Sequence, residues 1–156
     1  MNKMERNIYR LLLVIYLAML VWIVLFHGTL ETLNVMFSPE FRIINLYPYY
    51  NGAESWLNVA IFIPIGLYIE LLSNGTRRKK FLMIALVTLT LEVIQYIFAV
   101  GTSDIMDVIN NFLGGAIGIY IGVGAKIWLK EKAYKLLLIP AIAGTVLSAG
   151  IIGLAA

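Results

Sequence analysis

The sequence predicts an all-α integral membrane protein, a compact bundle of five transmembrane helices. Three observations support this class. Hydrophobic residues make up 61% of the 156 residues and charged residues 13%, whereas soluble domains contain about 45–50% and about 25%. The apolar residues form five long stretches. Eleven of the twelve Lys and Arg residues form three clusters that alternate with these stretches, as expected when basic loops stay on the cytoplasmic side.

The basic clusters also predict the direction of insertion. They precede the first apolar stretch, separate the second from the third, and separate the fourth from the fifth. The N-terminus is therefore predicted to be cytoplasmic and the C-terminus to be outside. The pI near 9.2 then reflects topology signals and contacts with anionic lipid heads, and no nucleic-acid partner is expected. The clusters are Lys3, Arg6 and Arg10; Arg77, Arg78, Lys79 and Lys80; and Lys126, Lys130, Lys132 and Lys135.

Each apolar stretch is long enough to cross about 30 Å of hydrocarbon, which takes about 20 residues. The predicted spans are Ile8–His27, Glu54–Leu72, Phe81–Val100, Asp107–Leu129 and Leu136–Ala155. We interpret the first as a retained helix rather than a signal peptide, because no small-residue cleavage site follows it. Pro140 weakens the last as a lone helix, so neighbouring helices must support it.

The segment between the first two spans is unusual for a loop, since residues 33–50 are rich in apolar and aromatic side chains. Aromatic residues favour the headgroup layer of a membrane. Pro39, Arg42, Asn45 and Pro48 interrupt the apolar stretches and disfavour a hairpin across the whole bilayer. We therefore expect an interfacial loop on the outer surface.

Polar side chains inside the predicted spans gather in the outer half of the membrane. Such residues usually face a protein interior or a cavity, because hydrocarbon solvates them poorly. With about 1.5 Å of rise per residue, Glu92 lies roughly 12 Å below the outer surface and Asn111 about 6 Å, with Asn58 at a similar depth. The inner half has little that is comparable, and Glu70 is expected to reach Arg77 or the headgroups. The sequence therefore predicts an outward-facing polar pocket.

Helical spacing places the polar residues on shared faces, because residues three or four apart lie side by side. Glu92 therefore lies beside Gln95. Asp104, Asp107 and Asn111 likewise share one face of the fourth span. Three glycines continue that face and allow another helix, from this chain or from a second copy, to approach closely. These glycines are Gly114, Gly118 and Gly122.

Purely structural roles compete with a functional one for each polar residue. Glu92 could be a buried hydrogen-bonding group, and Asn111 could join two helices. Asp104 could be an N-cap with Asp107 at the third helical position. Carboxylates at one depth could hold Mg²⁺ or Ca²⁺, but no spacing enforces this. No zinc site is expected, because His27 is the single histidine and cysteine is absent. We therefore predict no metal or other cofactor.

Four short blocks follow one another between about residues 42 and 122. They are Asn45-Leu46-Tyr47-Pro48-Tyr49, Asn58-x3-Phe62-x-Pro64-x-Gly66, Glu92-x2-Gln95 and Asp104-Ile105-x-Asp107-Val108-x2-Asn111-x2-Gly114-Gly115. No single block is specific, but together they resemble the VanZ-like family of membrane proteins. Many members have an arginine shortly before the first aspartate. This chain has Gly101-Thr102-Ser103 there, and Arg42 could take its place.

The resemblance implies a VanZ-like membrane domain of four helices over residues 1–135, with an additional helix over 136–156. It also implies a multi-pass protein of the bacterial cytoplasmic membrane that acts at the cell envelope. The family is similar to proteins associated with resistance to teicoplanin-type glycopeptide antibiotics. Reduced access of the antibiotic to its lipid-linked target would be one such action.

The leading hypothesis is binding rather than catalysis, because the pocket has acids and amides but no evident nucleophile. Its ligand would be an amphiphile with a polar head, such as a lipid-linked cell-wall precursor or a lipoglycopeptide, in contact with membrane lipids. The lining residues would be Glu92, Gln95, Asp104, Asp107 and Asn111, with Asn45, Asn58 and Arg42 closing the pocket from above.

Two alternatives stay open. In an intramembrane enzyme, Glu92 or Asp107 would be the catalytic general base, or the acids would hold a divalent cation, and the substrate would be a lipid or a polyprenyl phosphate. In a small transporter or assembly partner, a homo-oligomer would compensate for the small number of spans, since no inverted repeat is visible.

Overall fold

The protein is described by a computed structural model over residues 1–26, 43–48, 52–100, 102–139 and 142–143. These residues are mostly helical. A 3-10 turn at Lys130–Lys132 links the last two helices. The elements in chain order are α1 (Lys3–Phe26), β1 (Ile43–Asn45), α2 (Gly52–Leu72), α3 (Arg77–Phe98), β2 (Thr102–Asp104), α4 (Ile105–Leu129) and α5 (Ala133–Leu136).

Three of the described helices are long and apolar enough to cross a membrane. They are the segments Ser55–Leu72, Arg77–Phe98 and Ile105–Leu129, with mean hydropathies of 1.7, 2.0 and 1.6. The helical membrane class is thus confirmed in its coarser form, and the five described helices fit the predicted count. The direction of insertion stays a prediction. His27, Arg42, Pro140 and most of the predicted fifth span lie outside the described residues, as does most of the predicted interfacial loop.

Capping residues determine where α3 and α4 begin. The Thr76 side chain accepts a hydrogen bond from the Lys79 backbone N–H at 3.4 Å. Asp104 Oδ1 accepts one from the Met106 N–H at 2.8 Å. Both N-caps satisfy a backbone donor that has no partner within the helix. At the other end of α3, Ala99 adopts a left-handed conformation with φ 57° and ends the helix. The chain then enters β2 at Thr102, four residues after the end of α3 at Phe98.

Helices α2 and α4 run parallel and touch backbone to backbone. A Cβ atom at Gly114 would lie 2.1 Å from the Val59 carbonyl oxygen, and one at Gly118 would lie 2.0 Å from the Ile63 oxygen. At Gly122 it would lie 2.7 Å from Cγ of Glu70. The glycine stripe of α4 is therefore occupied by α2 of the same chain. This contact fixes the positions of α2 and α4 relative to each other, and therefore also the positions of the polar residues that precede the glycines on α4.

Buried tyrosines attach α1 to this pair in the opposite direction. The Tyr16 hydroxyl donates to the Ile61 carbonyl at 2.7 Å, and the Tyr9 hydroxyl donates to the Tyr134 carbonyl at 2.6 Å. Both rings lie about 6 Å from the ring of Tyr68, at 6.1 Å for Tyr16 and 6.3 Å for Tyr9. The bundle consequently has two distinct ends. The polar end holds the starts of α2 and α4 and the end of α3, and the basic end holds the start of α3 and the end of α4.

Candidate functional site

Two short strands cross the polar end. β1 and β2 pair in parallel, with Asn45 opposite Asp104. The Asn45 side chain reinforces the pairing, because its Nδ2 donates to Asp104 Oδ2 at 2.8 Å. Its Oδ1 accepts from the Tyr47 backbone N–H at 3.1 Å. Residues distant in sequence are thereby held together, with the end of the first loop placed beside the turn between α3 and α4.

Glu92 connects this turn to the helices. It lies near the end of α3 and is 8% exposed. Its Oε2 accepts from the Asp104 backbone N–H at 3.0 Å, and its backbone carbonyl accepts from the Ser103 hydroxyl at 3.0 Å. None of the ion pairs between described residues involves Glu92. Among the described residues, the hydrogen-bond donor to the buried carboxylate is thus a neutral backbone N–H.

A second acid and two amides join α2, α3 and α4 at this end. Asn58 Nδ2 donates to Asp107 Oδ1 at 2.6 Å. Asn111 is 6% exposed, and its Nδ2 donates to the Thr88 hydroxyl oxygen at 3.1 Å. Asn111 Oδ1 is buried and has no hydrogen-bond partner among the described residues. A buried amide oxygen left in this state costs free energy, so the atom requires an explanation.

These side chains surround a cavity of about 80 Å³. Each of the four long helices contributes to its wall. One water occupies about 30 Å³ of liquid, so the cavity has room for two or three waters or for the tip of a larger ligand. The lining residues are Leu20, Asn58, Ile61, Phe62, Leu91, Glu92, Gln95, Asp107 and Asn111.

Five of the residues predicted for the pocket line this cavity: Asn58, Glu92, Gln95, Asp107 and Asn111. Asn45 and Asp104 lie outside its wall. Their side chains are hydrogen-bonded to each other, and the Asp104 backbone N–H donates to Glu92, which lines the cavity. Arg42 lies outside the described residues. The predicted glycines pack below, against α2. The role of all of these residues in binding stays a prediction.

Sequence reasoning missed two polar residues of this site. Thr88 is fully buried and accepts from Asn111, and Ser103 anchors β2 to the end of α3. Thr88 lies four residues before Glu92 and thus on the same helix face, which is a signal that the sequence does carry. Ser103 had no such signal, because its contact depends on how the turn closes.

The basic end contains a buried ionic cluster that was also missed. Glu70 is 4% exposed and contacts Lys80 Nζ at 2.6 Å and Lys126 Nζ at 2.8 Å. The expectation that Glu70 reaches Arg77 was wrong, because Arg77 lies over the Tyr120 ring at 5.4 Å from its centre. The tight turn between α2 and α3 sets the two helices side by side. Glu70 therefore faces a residue one turn further into α3.

The site at the polar end is suited to accepting hydrogen bonds and positive charge. Among the described residues, no serine, threonine, cysteine or lysine lines the cavity, so this part of its wall provides no evident nucleophile. Among the residues that the structure describes, no group of three or more His, Cys, Asp or Glu side chains is placed to hold a metal ion.

Comparisons with known proteins agree with the sequence resemblance. The family model described as VanZ/LLP1 matches residues 13–128, which include all of α2 and α3 and all but the last residue of α4. Protein VanZ of Enterococcus faecium is 40% identical over 120 residues, which cover 74% of this chain and 74% of that protein. No solved structure matches the chain significantly.

Proposed function

This chain belongs to the VanZ/LLP1 family, and we propose that its polar end binds the head of an amphiphile in the outer leaflet of the bacterial cytoplasmic membrane. The ligand would be a lipid-linked cell-wall precursor or a lipoglycopeptide. Binding would contribute to resistance against teicoplanin-type glycopeptide antibiotics. The observation that carries the proposal is the cavity, around which side chains from α2, α3 and α4 converge.

Burial of polar groups supports a binding role for this end. Carboxylates and amides inside a membrane bundle are costly, and they persist where they serve a pathway, a ligand or a partner. Here Glu92 and Asn111 are both more than nine-tenths buried. The Oδ1 of Asn111 adds an acceptor that has no hydrogen-bond partner among the described residues. A ligand that donates hydrogen bonds would satisfy it.

The distribution of basic residues supports an outer-leaflet position. Lys80 and Lys126 lie at the basic end, beside the remaining cations of their clusters. Basic segments stay on the cytoplasmic side, so the polar end would face the opposite leaflet. Lipid-linked precursors and lipoglycopeptides present their polar heads at that surface, with their tails in the membrane. A protein that holds either one there would lower access of the antibiotic to its target.

The proposal is tested by replacing Glu92 and Asp107 with alanine, singly, in a host that depends on this protein for teicoplanin tolerance. At equal amounts in the membrane, both variants are expected to return susceptibility to that of cells lacking the protein. Leu113→Ala is a matched control, because Leu113 lies on α4 but is exposed and lines no part of the cavity. Unchanged tolerance in both acid variants would contradict the proposal.

A further inference from the structure

We infer that the cavity at the polar end receives a cationic group, namely the primary ammonium on the head of an amphiphile. The inference rests on the proposed function, since it names the chemistry that the same site would recognise. It selects the amine-bearing part of a ligand over a phosphate-bearing part. Three properties lead to it, namely the size of the cavity, its buried carboxylate, and an amide oxygen of Asn111 that has no partner among the described residues.

The size of the cavity limits what can enter. Its volume is about 80 Å³, and a terminal aminomethyl group is close to two waters in size, at roughly 30 Å³ per water. A pyrophosphate with its attached sugar is far larger. The cavity therefore fits the end of one side chain or the tip of a head, with the rest of the amphiphile outside.

The buried carboxylate of Glu92 determines the sign of charge that is accepted. Its described partners are neutral, with Oε2 accepting only from the Asp104 backbone N–H. A second carboxylate, that of Asp107, lines the same cavity, and none of the described residues in its wall is a lysine or an arginine. A buried charge that is paired and hydrogen-bonded is far less costly than one that is not. A cation in the cavity would supply that pairing, whereas a phosphate would add a like charge.

The amide of Asn111 determines the hydrogen-bonding pattern. Asn111 lines the cavity, its Nδ2 donates to Thr88, and its Oδ1 has no hydrogen-bond partner among the described residues. An ammonium has three N–H donors and no acceptor. In the cavity it would donate directed hydrogen bonds to the carboxylate and amide oxygens of the wall, whereas an alkali cation would offer charge without such bonds. This match favours an amine head.

The test is saturable binding of n-octylammonium to the full chain in nanodiscs of phosphatidylcholine, corrected for uptake by empty nanodiscs. n-Octyl phosphate and n-octanol have the same tail with an anionic or a neutral head. The wild-type protein is expected to bind the ammonium saturably and the other two at least tenfold more weakly. Equal binding of all three, or preferred binding of the phosphate, would overturn the inference without any variant.

Matched variants locate the binding. Glu92→Gln keeps an oxygen that can accept from the Asp104 N–H and keeps the cavity volume, so it is expected to fold. A charge-assisted hydrogen bond is worth about 1.5–3 kcal/mol, and its loss should weaken octylammonium binding about tenfold or more. Asn111→Leu should weaken it as well. Glu5→Gln removes one negative charge from the start of α1 and should leave binding unchanged. Wild-type affinity in Glu92→Gln would contradict the inference.

A sodium titration at constant ionic strength, with choline as the replacement cation, separates an amine head from a free alkali ion. Octylammonium binding that survives sodium supports the inference. Saturable sodium binding without octylammonium binding overturns it.

Failure of the ammonium inference is distinguishable from failure of the proposed function. If Glu92→Ala abolishes tolerance but the wild-type protein does not bind octylammonium, the ammonium ligand is ruled out and the proposed function stands. If octylammonium binding depends on Glu92 but Glu92→Ala keeps full tolerance, the role in resistance is ruled out and the ammonium site stands.

Discussion

The two ends of the bundle each bury an acid, but they treat it differently. Glu70 at the basic end contacts two lysines, at 2.6 Å and 2.8 Å, and Lys126 Nζ also donates to its backbone carbonyl at 2.6 Å. Glu92 at the polar end accepts from a backbone N–H, beside a cavity lined also by Asn111, whose Oδ1 has no partner among the described residues. An acid with its charge already compensated is suited to holding helices together. An acid with neutral partners and space beside it is suited to a ligand.

The comparison predicts that stability and function separate between the two ends. Removing one partner of a buried ion pair leaves the other charge without compensation, which is strongly destabilising. Changing an acid that faces a cavity disturbs less of the folded structure. Substitutions at the basic end should therefore act mainly through folding, and those at the polar end mainly through binding. Four changes test this, ranked by the expected loss of folding free energy.

The largest effect is expected for Glu70→Ala, which leaves Lys80 and Lys126 without their shared carboxylate. We expect a loss of about 3–5 kcal/mol of folding free energy, because the lysines stay in a largely buried site. Thermal unfolding in detergent, followed by tryptophan fluorescence, measures it. Lys79→Ala is the control for a nearby change of charge, since Lys79 is exposed. Wild-type stability in Glu70→Ala would contradict the structural role that distinguishes Glu70 from Glu92.

Gly118→Ala should have the next largest effect and should affect both ends. Its Cβ would lie 2.0 Å from the Ile63 carbonyl oxygen, so α2 and α4 must separate, at a cost of about 2–3 kcal/mol. Gly124→Ala is a matched control on the same helix, because a Cβ there meets nothing within 4 Å. Equal unfolding temperatures for the two variants would mean that close packing of α2 and α4 is not needed.

Asn45→Ala should have a smaller and local effect. It removes the hydrogen bond to Asp104 Oδ2, a loss of about 1 kcal/mol. Amide hydrogen exchange should become faster in β1 and β2 and stay unchanged in α2. Ile44→Ala, an exposed change on the same strand, should leave exchange near wild type. Faster exchange throughout the bundle would show that the strand pair supports more than the polar end.

The smallest effect on stability is expected for Glu92→Gln, at less than about 1 kcal/mol, because the amide oxygen can still accept from Asp104 and a buried charge is removed. Its effect on teicoplanin tolerance should nevertheless equal that of deleting the protein. Susceptibility and unfolding temperature, measured on the same membranes, test both halves of this expectation. A large loss of stability would place Glu92 in the same structural class as Glu70.

Hydropathy predicted the helices well but not their starts. The second and fourth spans end at Leu72 and Leu129 as predicted, whereas α3 begins at Arg77 instead of Phe81. The length of an apolar stretch is set by the thickness of the hydrocarbon layer. The helix itself extends beyond that stretch as far as its capping residue, which is Thr76 for α3. The basic residues assigned to a loop therefore form the first turn of α3, which brings Lys80 to Glu70.

The polar residues of the cavity were predictable because their cost depends on depth, which follows from residue counting along each helix. Their partners were not. Asn58 with Asp107, Asn111 with Thr88 and Glu70 with Lys80 each depend on the rotation of one helix against another. Rotation is set by close contacts such as Gly118 against Ile63, to which many residues of both helices contribute.

The amino-acid sequence by itself determined the membrane class, four of the helices and the gathering of polar residues toward one end, because hydropathy, charge clusters and helical spacing are local properties. Only the tertiary structure decided that Glu70 is compensated by two lysines while Glu92 borders a cavity of about 80 Å³. Both are acids inside apolar helices, and in the sequence they look alike. What separates them is which side chains the packing of the helices brings within hydrogen-bonding distance.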